Sequence, residues 1–165
     1  MRITRIDTCG LRGATPEGGW SHELQPDDIV HTLVAVHTDE GIVGVGSAFT
    51  SEALVRGAID LLSPHLIGEN PQEVERLTET LHQTAFWMGR GGSLTHATSA
   101  IDIALWDIAG QAASQPVGRL LGGRHRDVLD FGVDGDRHAR GVDGDHGRGA
   151  ADAVRGVGCA LDDEA

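Results

Sequence analysis

Apolar and β-branched residues form three short runs within the first 50 residues. Residues 1–12 alternate loosely between apolar and polar positions, and residues 29–38 (IVHTLVAVHT) are dense in β-branched side chains, which favours a buried strand. The sequence DEG at 39–41 is typical of a hairpin turn, with Gly41 at the position of positive φ. Residues 42–50 (IVGVGSAFT) form the third run. The pattern predicts a three-stranded antiparallel meander.

The hydrophobic period becomes helical after residue 50. Residues 51–64 predict one amphipathic helix. A second helix is predicted to begin with Asn70 as its cap, Pro71 at its first position and Glu73 at its third. Its buried stripe is expected at a spacing of four residues, at Leu77, Leu81 and Ala85.

A third helix is predicted from a cap at Ser93 or Thr95 to about Ala113. It must end before Pro116, which cannot continue a helix. Residues 117–123 (VGRLLGG) then predict a short turn closed by glycine.

These patterns together predict an α+β fold, in which the meander is followed by a helical bundle. Residues 13–28 are rich in glycine, proline and acids without any period, and we interpret them as a long loop. Residues 128–165 are dominated by Gly, Asp and Arg, so they bury too little apolar surface to offset their ordering entropy. We therefore expect one domain at 1–127 and a disordered low-complexity tail at 128–165.

The charge of the chain narrows its class of partners. A formal net charge of -12 argues against nucleic acid and anionic membrane surfaces as partners.

No apolar run approaches the ~20 residues of a membrane span. The N-terminus MRITRIDTCG carries charges where a signal peptide has an apolar core, so we expect a cytoplasmic protein. All thirteen basic residues are arginine, which excludes lysine as a catalytic base.

Two pairs of polar residues invite a chemical interpretation. Asp102 and Asp107 are five residues apart on the third predicted helix, so ~140° separates them around its axis and they do not converge as a general acid and base. Half-buried acids in such a helix usually accept hydrogen bonds from the backbone or from arginine, and we interpret both as scaffold residues. His31 and His37 share a strand face but lie ~20 Å apart, too far to share a metal ion.

Two glycine-rich stretches have compositions that also occur in ligand sites. The sequence GRGG at 89–92 follows a helix and lacks a P-loop lysine, which favours an interhelical loop, with Arg90 left open as a contact for an anionic ligand or a neighbouring domain. The related nonapeptides at 132–140 and 141–149 are too few to stack as a calcium-binding β-roll. The sequence predicts no metal site in this chain.

Residues 97–123 read ATSAIDIALWDIAGQAASQPVGRLLGG, a long and specific spaced pattern. This segment resembles the N-terminal signature of the mandelate racemase/muconate lactonizing enzyme family, within the enolase superfamily. The upstream order is also similar, with MRITRID at the start, DEGIVGVGSAF closing the meander and LIGENPQEVERL leading into the helices. The resemblance covers residues 1–127.

In that family the matching segment is a capping domain whose mobile loops close over a neighbouring (β/α)-barrel. By position, the loop at 13–28 resembles the first specificity loop, and residues 47–53 (SAFTSEA) resemble the second. The closed lid would exclude water and contact the distal end of the substrate. The resemblance implies substrate contacts from Trp20, His22, Glu23, Phe49 and Thr50.

The family's chemistry is abstraction of the proton α to a carboxylate, giving an enediolate held by Mg²⁺. Its base and metal ligands lie at the C-terminal ends of the barrel strands. A barrel takes ~250 residues, whereas about forty follow the signature here, without lysine and without three spaced acids. We therefore expect no catalytic residue, metal ligand or cofactor in this chain, although Mg²⁺ is implied for a full-length member.

We interpret the tail at 128–165 as a truncation or frameshift product.

The resemblance implies the capping domain of an enzyme that dehydrates a sugar acid, because the long polar first loop suits a polyhydroxylated substrate. Racemization or cycloisomerization is the alternative activity within the family, and a noncatalytic binding or interaction module is the alternative from another class. A cap without its barrel would expose an apolar face, so we also expect self-association into a homo-oligomer.

Overall fold

The structure is a computed structural model, and it describes residues 1–11, 31–89 and 91–123. The chain divides into two compact units, residues 1–117 and 118–165. The predicted first loop, Arg90 and the predicted tail lie outside the described residues, and so does the predicted domain boundary at 127.

The first unit begins with a three-stranded antiparallel sheet of β1 (Ile3–Leu11), β2 (His31–Thr38) and β3 (Val43–Ala48), in the order β1-β2-β3. The tight turn between β2 and β3 places Gly41 at a φ of 79°, which a residue with a side chain rarely adopts. The predicted meander is confirmed.

The helices follow the sheet along the chain. Short 3₁₀ turns come directly after the first and second helices, at Ser63–His65 and Phe86–Met88. The predicted stripe on the second helix is buried, as expected for an amphipathic element. The helices are α1 (Glu52–Leu62), α2 (Val74–Ala85), α3 (Ser93–Ala113) and α4 (Val117–Leu120).

The predicted start of α2 is wrong by three residues. The helix begins at Val74, with Glu73 in the cap position and no side-chain cap hydrogen bond. Asn70 does accept a hydrogen bond from the Gln72 N–H, at 3.1 Å, but its own carbonyl accepts from the Glu73 N–H, also at 3.1 Å. Asn70 therefore closes a turn ahead of the helix rather than capping it.

The predicted caps of α3 are also wrong, whereas its end is confirmed. Gly92 occupies the cap position, so neither Ser93 nor Thr95 caps the helix. At the other end, Ser114 takes the left-handed conformation with a φ of 52°, and its N–H donates to the carbonyl of Gln111 at 3.0 Å. This reversal stops the helix before Pro116.

The hydrophobic core lies between one face of the sheet and the helices. Strand β2 contributes the alternate residues Val34 and Val36 to it, and α3 is buried along much of its length. The largest fully buried side chains are Ile3, Thr32, Val34, Val36, Val55, Leu62, Leu66, Leu77, Leu81, Ile101, Leu105 and Ile108.

The contact between β3 and α3 depends on two glycines. A Cβ at Gly44 would lie 2.1 Å from the carbonyl oxygen of Ala104, and one at Gly46 would lie 1.9 Å from that of Ala100. These distances are far below van der Waals contact, so the helix lies directly on the backbone of the strand. No other residue type fits at either position without moving the helix.

We expect Gly46→Ala to destabilise the fold by about 1–3 kcal/mol or more, the usual cost of overpacking, because the new methyl group meets rigid backbone. Urea unfolding followed by circular dichroism measures this change. Gly57→Ala is the matched control, since a Cβ there meets nothing within 4 Å on the exposed side of α1, and we expect unchanged or slightly increased stability. Equal midpoints for the two variants would contradict the close contact.

In the second unit the described residues form the predicted short turn. Gly123 donates to the carbonyl of Gly118 at 2.7 Å, and Gly122 and Gly123 have φ values of 103° and 91°. The prediction of a turn closed by glycine is confirmed. Across the described ranges of the chain, no helix has the length and apolar character that crossing a membrane requires.

Candidate functional site

The register of the sheet brings the starting points of both predicted specificity loops to one end. Leu11 pairs with His31, so the segment that joins β1 to β2 leaves and enters the sheet at the same end. Thr32 pairs with Ala48, so the residues that follow β3 leave the sheet at that end too. Two loops that are far apart in the sequence therefore begin side by side.

Three of the predicted substrate contacts, Trp20, His22 and Glu23, lie outside the described residues. Phe49 is described, and its side chain is 45% exposed at the end of β3. Its ring makes an edge contact with His31, with ring centroids 4.8 Å apart and planes at 72°. From the sequence alone His31 is an ordinary strand residue, and only the strand register shows that it lies beside Phe49.

Thr50, the remaining predicted contact, is held through its backbone. The hydroxyl of Thr32, which is fully buried, donates a hydrogen bond to the Thr50 carbonyl at 2.9 Å. The next carbonyl, that of Ser51, accepts from the N–H groups of Leu54 and Val55 at the start of α1. The second loop thus has a fixed backbone, while the Phe49 side chain remains exposed.

The two acids of α3 are both engaged in the scaffold. Asp107 accepts from the backbone N–H of Val45 at 2.9 Å and from the amide of Gln111 at 3.0 Å, and Gln111 also donates to the Val43 carbonyl at 2.8 Å. Asp102 accepts from the Thr78 hydroxyl at 2.9 Å. Asp107 thus ties α3 to β3, and Asp102 ties it to α2. Their interpretation as scaffold residues is confirmed.

His37 lies in a charged cluster on β1 and β2. Its Nε2 is 2.9 Å from Asp7 Oδ2, and Arg5 Nε is 3.0 Å from the same buried oxygen, although neither contact has hydrogen-bond geometry. Burial lowers the pKa of His37 below its ordinary value, because desolvation outweighs the attraction of Asp7, and the charge of Arg5 lowers this pKa further.

The lowered pKa of His37 predicts a pH-dependent stability. At a pH between the folded-state and unfolded-state pKa values of His37, the unfolded chain binds more protons than the folded chain. The contribution of His37 to the free energy of unfolding is therefore complete above about pH 6.5. It is lost as the pH falls through the folded-state pKa. Urea unfolding between pH 7.5 and 5 should therefore show a shallower loss of stability in His37→Gln than in the wild type.

His65→Gln, at an exposed position, is the matched control for this experiment. If His37→Gln follows the same pH dependence as the wild type, the buried imidazole makes no such contribution.

The comparisons with known proteins agree with this architecture. A sequence model of the mandelate racemase/muconate lactonizing enzyme N-terminal domain matches residues 26–122. The chain belongs to this family. Its sheet and following helices have the architecture of the N-terminal capping domain found in structures of the enolase superfamily.

Curated relatives carry the names of acid-sugar dehydratases. A D-galactonate dehydratase family member from Catenulispora acidiphila is 41% identical over 133 residues, which are 79% of this chain and 28% of the relative. Another family member, from Paenibacillus sp., is 44% identical over 100 residues, which are 58% of this chain and 24% of the relative. The chain therefore spans about a quarter of the length of these relatives.

Solved structures share the fold. The 3,6-anhydro-D-galactonate cycloisomerase from Zobellia galactanivorans superposes with a TM-score of 0.63 at 32% sequence identity. The match covers 74% of this chain and 32% of that one. At this level of identity the likeness supports the family assignment as well as the fold.

Proposed function

We propose that this chain is the capping domain of an enzyme that dehydrates a sugar acid, and that it contributes specificity rather than proton transfer. The observation that carries the proposal is the shared starting point of the two loops at one end of the sheet. Because Leu11, His31 and Ala48 meet there, residues of both loops can contact one ligand.

The described loop residues suit the part of a sugar acid that carries no reacting atom. The exposed ring of Phe49 offers an apolar surface to the C–H groups of the substrate, and its contact with His31 restrains the ring. The fixed backbone from Thr50 to Ser51 positions that ring in advance, which reduces the entropy lost on binding. Trp20, His22 and Glu23 are proposed as further contacts from the first loop.

The described residues do not supply the acid–base and metal chemistry of the family. No group of three His, Cys, Asp or Glu side chains capable of holding a metal ion occurs within residues 1–11, 31–89 and 91–123. Asp102 and Asp107 already accept hydrogen bonds from the scaffold. These residues do not fit the Mg²⁺ that the family implies.

The substrate class rests on the names of the relatives. Two curated relatives belong to the D-galactonate dehydratase family, and a structural neighbour is a cycloisomerase of 3,6-anhydro-D-galactonate. All these names refer to sugar acids. Dehydration is therefore proposed first and cycloisomerization second, and analysis of the product distinguishes them. Self-association and a cytoplasmic location stay predictions.

We expect the purified 165-residue chain to show no turnover with Mg²⁺ and a panel of sugar acids that includes D-galactonate. The reason is that its described residues include no group of three possible metal ligands, and that Asp102 and Asp107 already accept hydrogen bonds within the scaffold. Detection of 2-keto-3-deoxy acid products by a carbonyl assay is the measurement. Turnover by the chain alone would show that it carries its own catalytic groups.

The specificity role is tested by replacing the N-terminal domain of the Catenulispora acidiphila relative with the corresponding residues of this chain. We expect the chimera to dehydrate a sugar acid, and Phe49→Ala to raise its KM by about 2- to 12-fold, which corresponds to an aromatic contact of about 0.5–1.5 kcal/mol. Steady-state kinetics gives both constants.

Trp87→Ala is the matched aromatic control, because Trp87 is 77% exposed at the end of α2 and lies outside both loops. A chimera without activity would contradict the capping role. An active chimera in which Phe49→Ala leaves KM unchanged would contradict the assignment of the second loop.

A further inference from the structure

The last row of the sheet crosses all three strands at the end where both loops begin. Leu11, the last residue of β1, pairs with His31, the first residue of β2. The register that pairs Thr32 with Ala48 continues to Phe49, whose ring centroid lies 4.8 Å from that of His31. Residues directly opposite each other on neighbouring strands share a face of the sheet. We call Leu11, His31 and Phe49 the end row.

The end row lies on the face of the sheet that points away from the core. Along β2 the core residues are Val34 and Val36, and Thr32 shares their side because side chains alternate along a strand. His31 therefore points to the opposite face. Its backbone is anchored, since Thr32 is fully buried and its hydroxyl donates to the Thr50 carbonyl at 2.9 Å. A side chain on an anchored strand is positioned more precisely than one on a loop.

The imidazole of His31 is half-buried and has no polar partner in the described part of the chain. Within residues 1–11, 31–89 and 91–123 it makes no hydrogen bond or ion pair, and neither ring nitrogen is a buried unpaired atom. Both nitrogens are therefore accessible to a ligand. His37 lies on the same face of the same strand, but its Nε2 is 2.9 Å from Asp7. Of these two histidines, His31 is the one whose polar atoms remain available.

The end row combines groups that suit a hydroxylated carbon chain. An imidazole in its neutral form has one donor and one acceptor nitrogen, and a hydroxyl group can pair with either. Phe49 is 45% exposed and Leu11 is half-buried, so apolar surface lies on both sides of His31. The C–H groups of a sugar can pack on such surface while its hydroxyl meets the imidazole.

We propose that His31 is a specificity residue, which binds a hydroxyl group at the distal end of the substrate through a ring nitrogen. Phe49 and Leu11 contact the adjoining C–H groups. The proposal rests on the proposed function, because it needs a sugar acid between the two loops. It adds a contact from the strand that begins between the loops, and it names the substrate group that this contact recognises.

Steady-state kinetics of the chimera with the Catenulispora acidiphila relative tests the proposal, with D-galactonate or whichever acid of the panel is dehydrated fastest. His31→Phe keeps an aromatic ring beside Phe49 and removes both nitrogens. We expect it to raise KM about 2- to 12-fold, as for loss of one hydrogen bond. Because a distal contact is equally strong in the ground state and the transition state, kcat should stay nearly unchanged. His65→Gln, at an exposed position, is the control and should leave both constants unchanged.

Deoxy analogues separate a hydroxyl contact from a structural role of His31. With an analogue that lacks the bound hydroxyl, at C5 or at C6, neither protein can form the hydrogen bond, so the chimera and its His31→Phe variant should have equal KM values. An equal increase of KM with the parent acid and with both analogues would overturn the proposal, since it would show only a structural role.

The remaining outcomes distinguish this proposal from the function on which it rests. A chimera that dehydrates no acid would contradict the capping role, and the His31 contact with it. An active chimera in which His31→Phe leaves KM unchanged would overturn the His31 contact alone. If circular dichroism shows that His31→Phe does not fold, His31→Leu replaces it with the same expectations, because leucine also lacks the ring nitrogens.

Discussion

Helix α3 lies on strand β3 where the strand has no side chains. Gly44 and Gly46 face the carbonyls of Ala104 and Ala100, and even a methyl group at either glycine would overlap the helix backbone. This close approach is also what lets Asp107 reach the N–H of Val45 on the side of β3 that does not pair with β2. The helix therefore both covers the sheet and satisfies its open edge.

The positions of the candidate substrate residues follow from this contact. Because α3 fixes β3, the last residue of β3 fixes where Phe49 begins, and the buried hydroxyl of Thr32 then holds the carbonyl of Thr50. Asp107 and Asp102 lie in the segment most typical of the family, yet both act in the scaffold. The signature thus specifies how the loops are supported, which is consistent with a domain that caps an active site.

Much of the fold could be predicted from the sequence, because the strands and helices have strong periodicity. The scaffold role of Asp102 and Asp107 followed from their angle around the helix. Local capping rules failed at Asn70, where a side chain suited to a cap instead closes a turn. The contact of His31 with Phe49 could not be predicted, since it depends on the pairing of strands that are distant in sequence.

The role of the two glycines of β3 could not be predicted from the sequence either. In the sequence, Gly44 and Gly46 simply weaken a strand pattern. Their meaning depends on which helix covers them, and that is a tertiary property.

Native-state hydrogen exchange at the Val45 amide tests the central contact most directly. If α3 closes the edge of β3 through Asp107, this amide exchanges as slowly as the amides of the central strand β2, by global unfolding. Exchange of the Val45 amide at the rate of an open strand edge, while the β2 amides remain protected, would show that α3 does not hold β3.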